Sequence, residues 1–414
     1  MTATAAQSPP ASLRKLVERF DPDAFDAPRG RARVRLEVTG QGAWNVDVKG
    51  DRIRLGAADE GDDSYDAKLS ADAAAWMRMS TDLVGGMTVY RAGRLHVRRN
   101  LHIGVGFLAA ASGDPGPGRL RFDTVKTDVG KVSMFEAGEG EPLLLLHGLG
   151  ATKASFLPTV AALAPERRVI AIDQPGFGDS DKPFPASYDA AFFARWVCAF
   201  MDSQGIDRAH VLGHSMGGRV ALELGMRNPE RVEGLILMTP SLAWRGSRPW
   251  VAPLKLIRPE LGLLQPTPRP VVEAFVRRFV PDAESSWVAS GVDEFLRAYL
   301  NPRGRVAFYA AARNIYLENP DGFWSRLEAL EARSLFIWGR RDTLVPIGFS
   351  RHVRKALPDA KHVELDCGHV PQLERPRAAH GAIARFLRGD EAAHNGRSRA
   401  ATGVGPRSAQ SGAS

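Results

Sequence analysis

From Arg121 onward the chain alternates short apolar runs with stretches of helical periodicity, and this alternation constrains the fold more than any other feature. The runs are "PLLLLHG", "RRVIAID", "AHVLGHS", "VEGLILM", "SLFIWG" and "KHVEL". A short continuous apolar segment with no polar face is the pattern of a strand buried on both sides, the condition of a parallel sheet between helices. Between them come "TKASFLPTVAALA", "YDAAFFARWVCAFMDSQG" and "GRVALELGMR", each with helical spacing. Ahead of them, "RFDTVKTD" and "KVSMFEA" read as an opening antiparallel pair. The expected class is α/β, a mostly parallel sheet with helices on both faces. Such sheets place their sites at the carboxyl ends of the strands, so chemistry is expected just after each apolar run.

Composition breaks divide the remainder. The segment 111–120, "ASGDPGPGRL", concentrates glycine and proline without periodicity and reads as a linker. It separates a smaller unit, 13–110, from a larger one, 121–388; a chain of 414 residues exceeds what one compact core usually holds. Residues 1–12 and the tail 389–414, which lacks large apolar residues, read as disordered. Inside the larger unit the alternation stops over 240–319. This insertion is helix-like and rich in bulky apolar groups, among them Trp244, Trp250, Phe275, Phe295, Tyr299 and Phe308. At the top of such a sheet it reads as a cap over the site. The alternative is helical packing with no part in substrate choice.

Two cysteines, Cys198 and Cys367, lie far apart without metal-ligand spacing. Neither a disulfide scaffold nor a metal site is expected, and the reading is a cytoplasmic protein. No run approaches the roughly 18 apolar residues of a membrane helix, and the first residues lack the apolar core of a secretory signal. A net charge of +8 spread over this length does not point to nucleic acid. The densest basic stretch is "RAGRLHVRRNLHI", 91–103. As a strand it turns Arg94, His96 and Arg98 one way and Leu95 and Val97 the other. That is a solvated strand face, or, in the sharper alternative, a weak contact with an anionic lipid surface.

The run "AHVLGHS" leads into Gly213-His214-Ser215-Met216-Gly217, a G-x-S-x-G pentapeptide between a strand and a helix. A serine on so sharp a turn needs neighbours without Cβ atoms, which Gly213 and Gly217 supply, while Gly218 lets the helix pack closely. A serine hydroxyl is a poor nucleophile until a base takes its proton, and the base needs an orienting anion. "FIWGRRDTLVP" puts Asp342 after one apolar run and "HVELDCGHVPQLERP" puts His369 after the last. Both therefore fall on the same sheet edge as Ser215. Asp366 is a rival acid, set lower because it ends the strand that carries the histidine. The backbone amides of Met216 and of Leu149, in the turn after "LLLLHGLG", are the expected oxyanion donors. His147 is read as organising that turn, His214 as structural, and Cys367 as a small buried neighbour of the histidine loop.

"HGLG", "DQPGFGDSDKP", "GHSMGG", "GRRDTLVP" and "DCGHVPQLERP", in this order, resemble the α/β-hydrolase superfamily over Arg121 to Leu387. The resemblance implies Ser215 as nucleophile, Asp342 as acid, His369 as base, a helical cap, and no cofactor. A serine at 215 departs from the haloalkane dehalogenases and epoxide hydrolases of that superfamily, which use aspartate there. Upstream, "GAWNVDVKGDRIRL", "YDAKLSADAAAWMRM" and "GGMTVYRAGRLHVRRNL" resemble the sterol carrier protein 2 family over Leu13 to Ala110. That implies a smaller α+β domain with an apolar tunnel for a lipid-like ligand; the alternative is a module that pairs with the hydrolase or mediates self-association. Family members usually carry a glycine after the last strand, where this chain has Arg98 and Arg99. The expected function is a serine hydrolase acting on a carboxylic ester of an apolar or lipid-like substrate. Two alternatives stand beside it: a carbon–carbon bond hydrolase of ring-cleavage dienones with the same triad, and a lipid-binding or transfer protein with a silent hydrolase half.

Overall fold

The structure, a computed structural model, describes residues 8–27, 30–59, 61–81, 89, 94–113, 116–243, 258–265, 267–283, 285–316 and 319–390. In the N-terminal unit β1 (Arg31–Val38), β2 (Gly42–Lys49), β3 (Arg52–Ala57), β4 (Ala67–Ala71) and β5 (Leu95–Arg98) form one sheet in the order β3-β2-β1-β4-β5. Strand β1 runs antiparallel to β2 and parallel to β4. Period-two patterning gives this sheet one apolar face: Val34, Leu36, Trp44, Val46, Leu69 and Val97 are buried, while Arg33, Asp47, Lys68 and His96 alternate with them.

The helix Leu101–Ala110, "LHIGVGFLAA", lies across the apolar face. A helix apolar all round must be covered all round, and every residue of it except Val105 is buried. On one side Gly104 approaches β5 so closely that a Cβ would fall 2.5 Å from Val97 Cγ1. On the other, Gly106 faces Phe25 and Phe122.

The larger unit contains β6 (Arg121–Thr127), β7 (Gly130–Ala137), β8 (Pro142–Leu146), β9 (Arg168–Ile172), β10 (Ala209–His214), β11 (Val232–Met238), β12 (Ser334–Gly339) and β13 (Lys361–Leu365). Their order is β13-β12-β11-β10-β8-β9-β7-β6. Strands β6 and β7 are antiparallel, as expected, and the rest pair in parallel from β9 to β13. The helices Leu157–Leu163 and Pro376–Arg388 pack on one face, and Ala190–Ser203 and Met216–Arg227 on the other.

Phe25, Phe107, Phe122, Phe135, Leu157 and Ile383 belong to one continuous buried cluster that spans both units. Fully burying such side chains stabilises by about 1.5–3 kcal/mol each, so the N-terminal unit is fused to one face of the larger sheet through a shared core. The segment 111–120 is correspondingly not a free tether. Ala111 is buried, Gly138 N–H donates to Pro117 O at 2.6 Å, and Arg119 pairs with Asp21 at 2.5 Å. Parts of the two terminal segments expected to be disordered are ordered. Leu13 N–H already bonds Pro10 O, with Ser12 and Leu13 buried, and Gly389 closes the last helix with φ 72° while Asp390 accepts from Arg388. Residues 1–7 and 391–414 lie outside the described residues.

Three arginines of the basic stretch are paired within the protein, Arg94 with Asp72, Arg98 with Asp293, and Arg99 with Asp63 and the ring of Tyr65, and Arg91 lies outside the described residues. The strand alternates as expected, with Leu95 and Val97 buried and Arg94 and His96 exposed, while Arg98 at its end docks on Asp293. Within 240–319 the described α-helices are Arg269–Phe279, Ser285–Tyr299 and Pro302–Tyr316, preceded by the short 3-10 helix Pro259–Leu264; Trp244 and Trp250 lie outside the described residues. No described helix is long and apolar enough to cross a membrane.

Candidate active site

Ser215 sits between β10 and the helix Met216–Arg227 with φ 53° and ψ −114°. Such a conformation costs a non-glycine residue of order 1–3 kcal/mol, and the surroundings hold it there. Ser215 N–H donates to Met238 O at 3.0 Å, and Ser215 O accepts from Ser241 N at 2.9 Å and Arg219 N at 3.1 Å. The glycine requirement is steric: a Cβ on Gly213 would fall 2.3 Å from Gly217 O, and one on Gly217 2.0 Å from Leu146 O.

The three residues expected to act together converge. Ser215 Oγ lies 2.9 Å from His369 Nε2, and His369 Nδ1 lies 2.7 Å from Asp342 Oδ2. A carboxylate only accepts, so Nδ1 carries the proton and Nε2 is left to receive the serine hydrogen. The other oxygen, Asp342 Oδ1, accepts from Leu344 N at 2.8 Å and Val345 N at 3.0 Å, which locks the carboxylate plane. All three side chains are largely shielded from water. The rival Asp366 is turned to the surface, where Arg341 holds it.

His369 is fixed through its backbone as well. Its carbonyl accepts from His214 Nε2 at 2.8 Å and Thr239 Oγ1 at 2.9 Å, and its N–H donates to Phe279 O of the cap at 2.9 Å. The flanking amides of Gly368 and Val370 both donate to the Glu374 carboxylate, at 2.9 and 3.0 Å. Burial pushes the His214 imidazole down to about 3, so it is a neutral donor, as its structural reading requires. Cys367 is fully buried beside this loop, and burial pushes its thiol up to about 12.

The turn after β8 comes against the serine: a Cβ on Gly148 would fall 3.2 Å from Ser215 Cβ. Leu149 is the next residue. Met216 is the first residue of its helix, where a backbone N–H has no intrahelical acceptor. His147 organises this turn, donating from Nδ1 to Gly148 O at 2.8 Å and accepting Gln174 N at 3.0 Å on Nε2. Burial lowers its affinity for a second proton. Beneath it, the buried Lys153 donates to Asp173 at 2.6 Å, and this cation holds the Asp173 carboxyl below its ordinary range despite burial.

Cap side chains close over the turn. Phe295 and Phe308 lie about Gly150 so tightly that a Cβ there would meet their rings at 2.9 and 3.0 Å. With Tyr299 they form an aromatic cluster, ring centroids 4.9–5.7 Å apart. Lys153, Thr239, Ser241, Glu294 and Glu374 are site neighbours that sequence reasoning did not single out. Lys153, Thr239, Ser241 and Glu294 each find a partner 20 or more residues away, whereas Glu374, in "ERP" after His369, bonds the nearby Gly368 and Val370.

The alpha/beta hydrolase fold family model matches residues 141–376, and the SCP-2 sterol transfer family model matches residues 16–107. The chain is 30% identical over 280 residues to 2-hydroxymuconate semialdehyde hydrolase of a Pseudomonas species, covering 64% of this chain and 92% of that protein. It is 32% identical over 295 residues to 2-hydroxy-6-oxononadienedioate/2-hydroxy-6-oxononatrienedioate hydrolase of Cupriavidus pinatubonensis, covering 65% and 96%. Among solved structures, a membrane phospholipase A described as a bacterial virulence factor shares 29% identity at a TM-score of 0.53, covering 65% of this chain and 86% of that one. With an eight-stranded, mostly parallel sheet that carries serine, aspartate and histidine to one edge, the chain belongs to the alpha/beta hydrolase fold family and carries an SCP-2 sterol transfer domain ahead of that fold.

Proposed function

We propose that the chain is a serine hydrolase that cleaves a carboxylic ester of an apolar or lipid-like acyl group through an acyl-enzyme on Ser215. The observation that carries this reading is the unbroken relay from Asp342 through His369 to Ser215 Oγ, at 2.7 and 2.9 Å. His369 Nε2 takes the hydroxyl proton as Oγ attacks the ester carbonyl, and the amides of Leu149 and Met216 receive the oxyanion. Collapse expels the alcohol oxygen, which takes the proton back from Nε2. Water then enters, loses a proton to Nε2, attacks the acyl carbon and releases the acid, and Ser215 recovers its hydrogen. The aromatic cluster of Phe295, Tyr299 and Phe308 over Gly150 supports an apolar acyl group, and the SCP-2 sterol transfer match supports a lipid-like substrate or ligand.

A second reading has a specific observation behind it: the two relatives named above are hydrolases of dienoate-type ring-cleavage products. That reaction uses the same triad on a carbon–carbon bond. A p-nitrophenyl ester series run against a dienone followed by ultraviolet absorbance separates the two. Faster turnover of medium or long acyl esters supports the first reading, and dienone turnover with negligible ester hydrolysis overturns it. Lipid binding with no turnover of either substrate would instead favour a carrier with a silent hydrolase half.

A further inference from the structure

Glu294 lies on the cap helix Ser285–Tyr299 and is buried, yet its carboxylate meets donors from three separate parts of the chain. Oε1 accepts Leu101 N–H at 2.6 Å, the first residue of the apolar helix that joins the N-terminal domain to the hydrolase. Oε2 accepts Arg297 Nη2 at 2.9 Å and faces Thr152 Oγ1 at 3.5 Å. Thr152 stands three residues beyond Leu149 in the same turn. The next residue of the cap helix, Phe295, is one of the two rings that press on Gly150.

The same helix grips the N-terminal domain at neighbouring points. Asp293 accepts Arg98 Nε at 2.6 Å and Arg99 N at 3.1 Å, and Ser290 Oγ donates to Val97 O at 2.9 Å. On the hydrolase side Arg297 binds Asp179 at 2.5 Å, and Asp179 lies 3.7 Å from Lys153, the residue after Thr152. Hydrogen bonds to a carboxylate are roughly twice as strong as neutral ones and hold their partners in register. Glu294 therefore joins the start of the helix Leu101–Ala110, the cap and the turn that carries Leu149, and the neighbouring Asp293 and Ser290 tie the end of β5 to the same cap helix.

We propose that Glu294 is a positioning residue through which the N-terminal domain sets the oxyanion turn, so that turnover depends on that domain being docked. The inference rests on the assignment of Leu149 as an oxyanion donor. Ester hydrolysis itself asks nothing chemical of a carboxylate at this position. Its effect is on geometry, and small displacements of preorganised donors are felt in kcat more than in binding.

Glu294→Gln keeps the volume but only one acceptor oxygen, so either Leu101 or the Arg297–Thr152 side loses its partner. On p-nitrophenyl acetate the expected result is a fall in kcat of about tenfold, below the 10²–10³ of losing an oxyanion donor outright, with KM unchanged. The rate of inactivation by a fluorophosphonate should fall equally. A second pair reaches the same contact from the other domain. Leu101 is the first helical residue, where proline fits, and Asn100 at φ −138° and ψ 104° suits the position before a proline. Leu101→Pro and Leu101→Ala both lose the leucine side chain, but only the proline loses the N–H that Glu294 accepts. The proline variant should fall several-fold below the alanine variant in kcat and inactivation rate, per folded enzyme. Lowered melting temperatures with unchanged kcat and inactivation rates in both comparisons would overturn the proposal and leave the serine-hydrolase reading intact. Failure of the unmodified chain to react with fluorophosphonate at all would overturn both.

Discussion

Asp342→Asn is a perturbation whose consequence can be worked from the hydrogen bonds of one side chain. Oδ1 accepts two backbone N–H groups, at 2.8 and 3.0 Å, while Oδ2 faces His369 Nδ1 at 2.7 Å. An asparagine has one oxygen to share between these demands. Turning it toward His369 would aim the NH2 at two buried donors, each then unsatisfied at about 1–3 kcal/mol, or about 2–6 kcal/mol together. The oxygen therefore stays with Leu344 and Val345, and the NH2 points at Nδ1. That forces the imidazole proton onto Nε2, where it meets Ser215 Oγ and leaves no base. At about 1.4 kcal/mol per tenfold, the productive tautomer falls to between about one in thirty and about one in twenty thousand, a range that contains the roughly 10⁴-fold loss known for this substitution in another Ser-His-Asp enzyme. The assay is kcat on a short p-nitrophenyl ester, with Asp366→Asn as the control expected to stay within a factor of about two, as surface substitutions do. Retention of more than a tenth of kcat by Asp342→Asn, or a large loss in Asp366→Asn, would refute the reasoning.

Three further outcomes follow from the geometry. Gly217→Ala should abolish activity and soluble expression together, because its Cβ would lie 2.0 Å from the carbonyl oxygen of Leu146, which is backbone and cannot swing away; a folded variant by circular dichroism would contradict this. Phe107→Ala, at a fully buried ring in the core shared by both units, should cost about 3–5 kcal/mol. Calorimetry should show one unfolding transition moving down, and two separate transitions would show that the shared core does not couple the domains. Burial holds His210 at about 4, with Arg167 and Arg333 adding to the effect. The unfolded chain therefore binds more protons than the folded one between the ordinary histidine value of about 6.5 and the folded value, and stability falls as pH drops through that window, by up to about 1.4 kcal/mol per pH unit for one histidine. The urea midpoint of His210→Gln should fall less between pH 6.5 and 4.5 than that of the unmodified chain.

Much of this was legible in the sequence because the physics was local. Each apolar run of the larger unit became a strand of the predicted sheet, since nothing else buries both faces of so short a segment. The exception in burial is "KHVEL", which became the edge strand β13, none of whose residues is fully buried. Ser215, Asp342 and His369 could be placed on one edge by chain order alone. The junction between the units was partly written in "LHIGVGFLAA", whose lack of any polar face requires covering on both sides, but the linker-like composition of 111–120 pointed toward separation. What could not be read was the ion-pair network. Asp293, Glu294 and Arg297 look like the solvated face of an amphipathic helix, and Lys153 like a surface lysine. Asp293, Glu294 and Arg297 each have a partner more than a hundred residues away, for example Arg98 for Asp293 and Asp179 for Arg297, and Lys153 reaches Asp173 twenty residues on. The same long-range pairing docks Arg98, at the end of the basic strand, onto Asp293, while Arg94 and His96 stay on the exposed face that the alternation predicts.

The central claim is that Ser215 is the nucleophile, activated by His369. Its most direct test is reaction of the full chain with a fluorophosphonate, followed by intact-mass measurement and peptide mapping. One phosphonyl adduct per chain on the peptide containing Ser215, absent from Ser215→Ala and slowed in His369→Ala, is the expected result. An adduct on Ser241, or undiminished labelling of the Ser215→Ala protein, would contradict it.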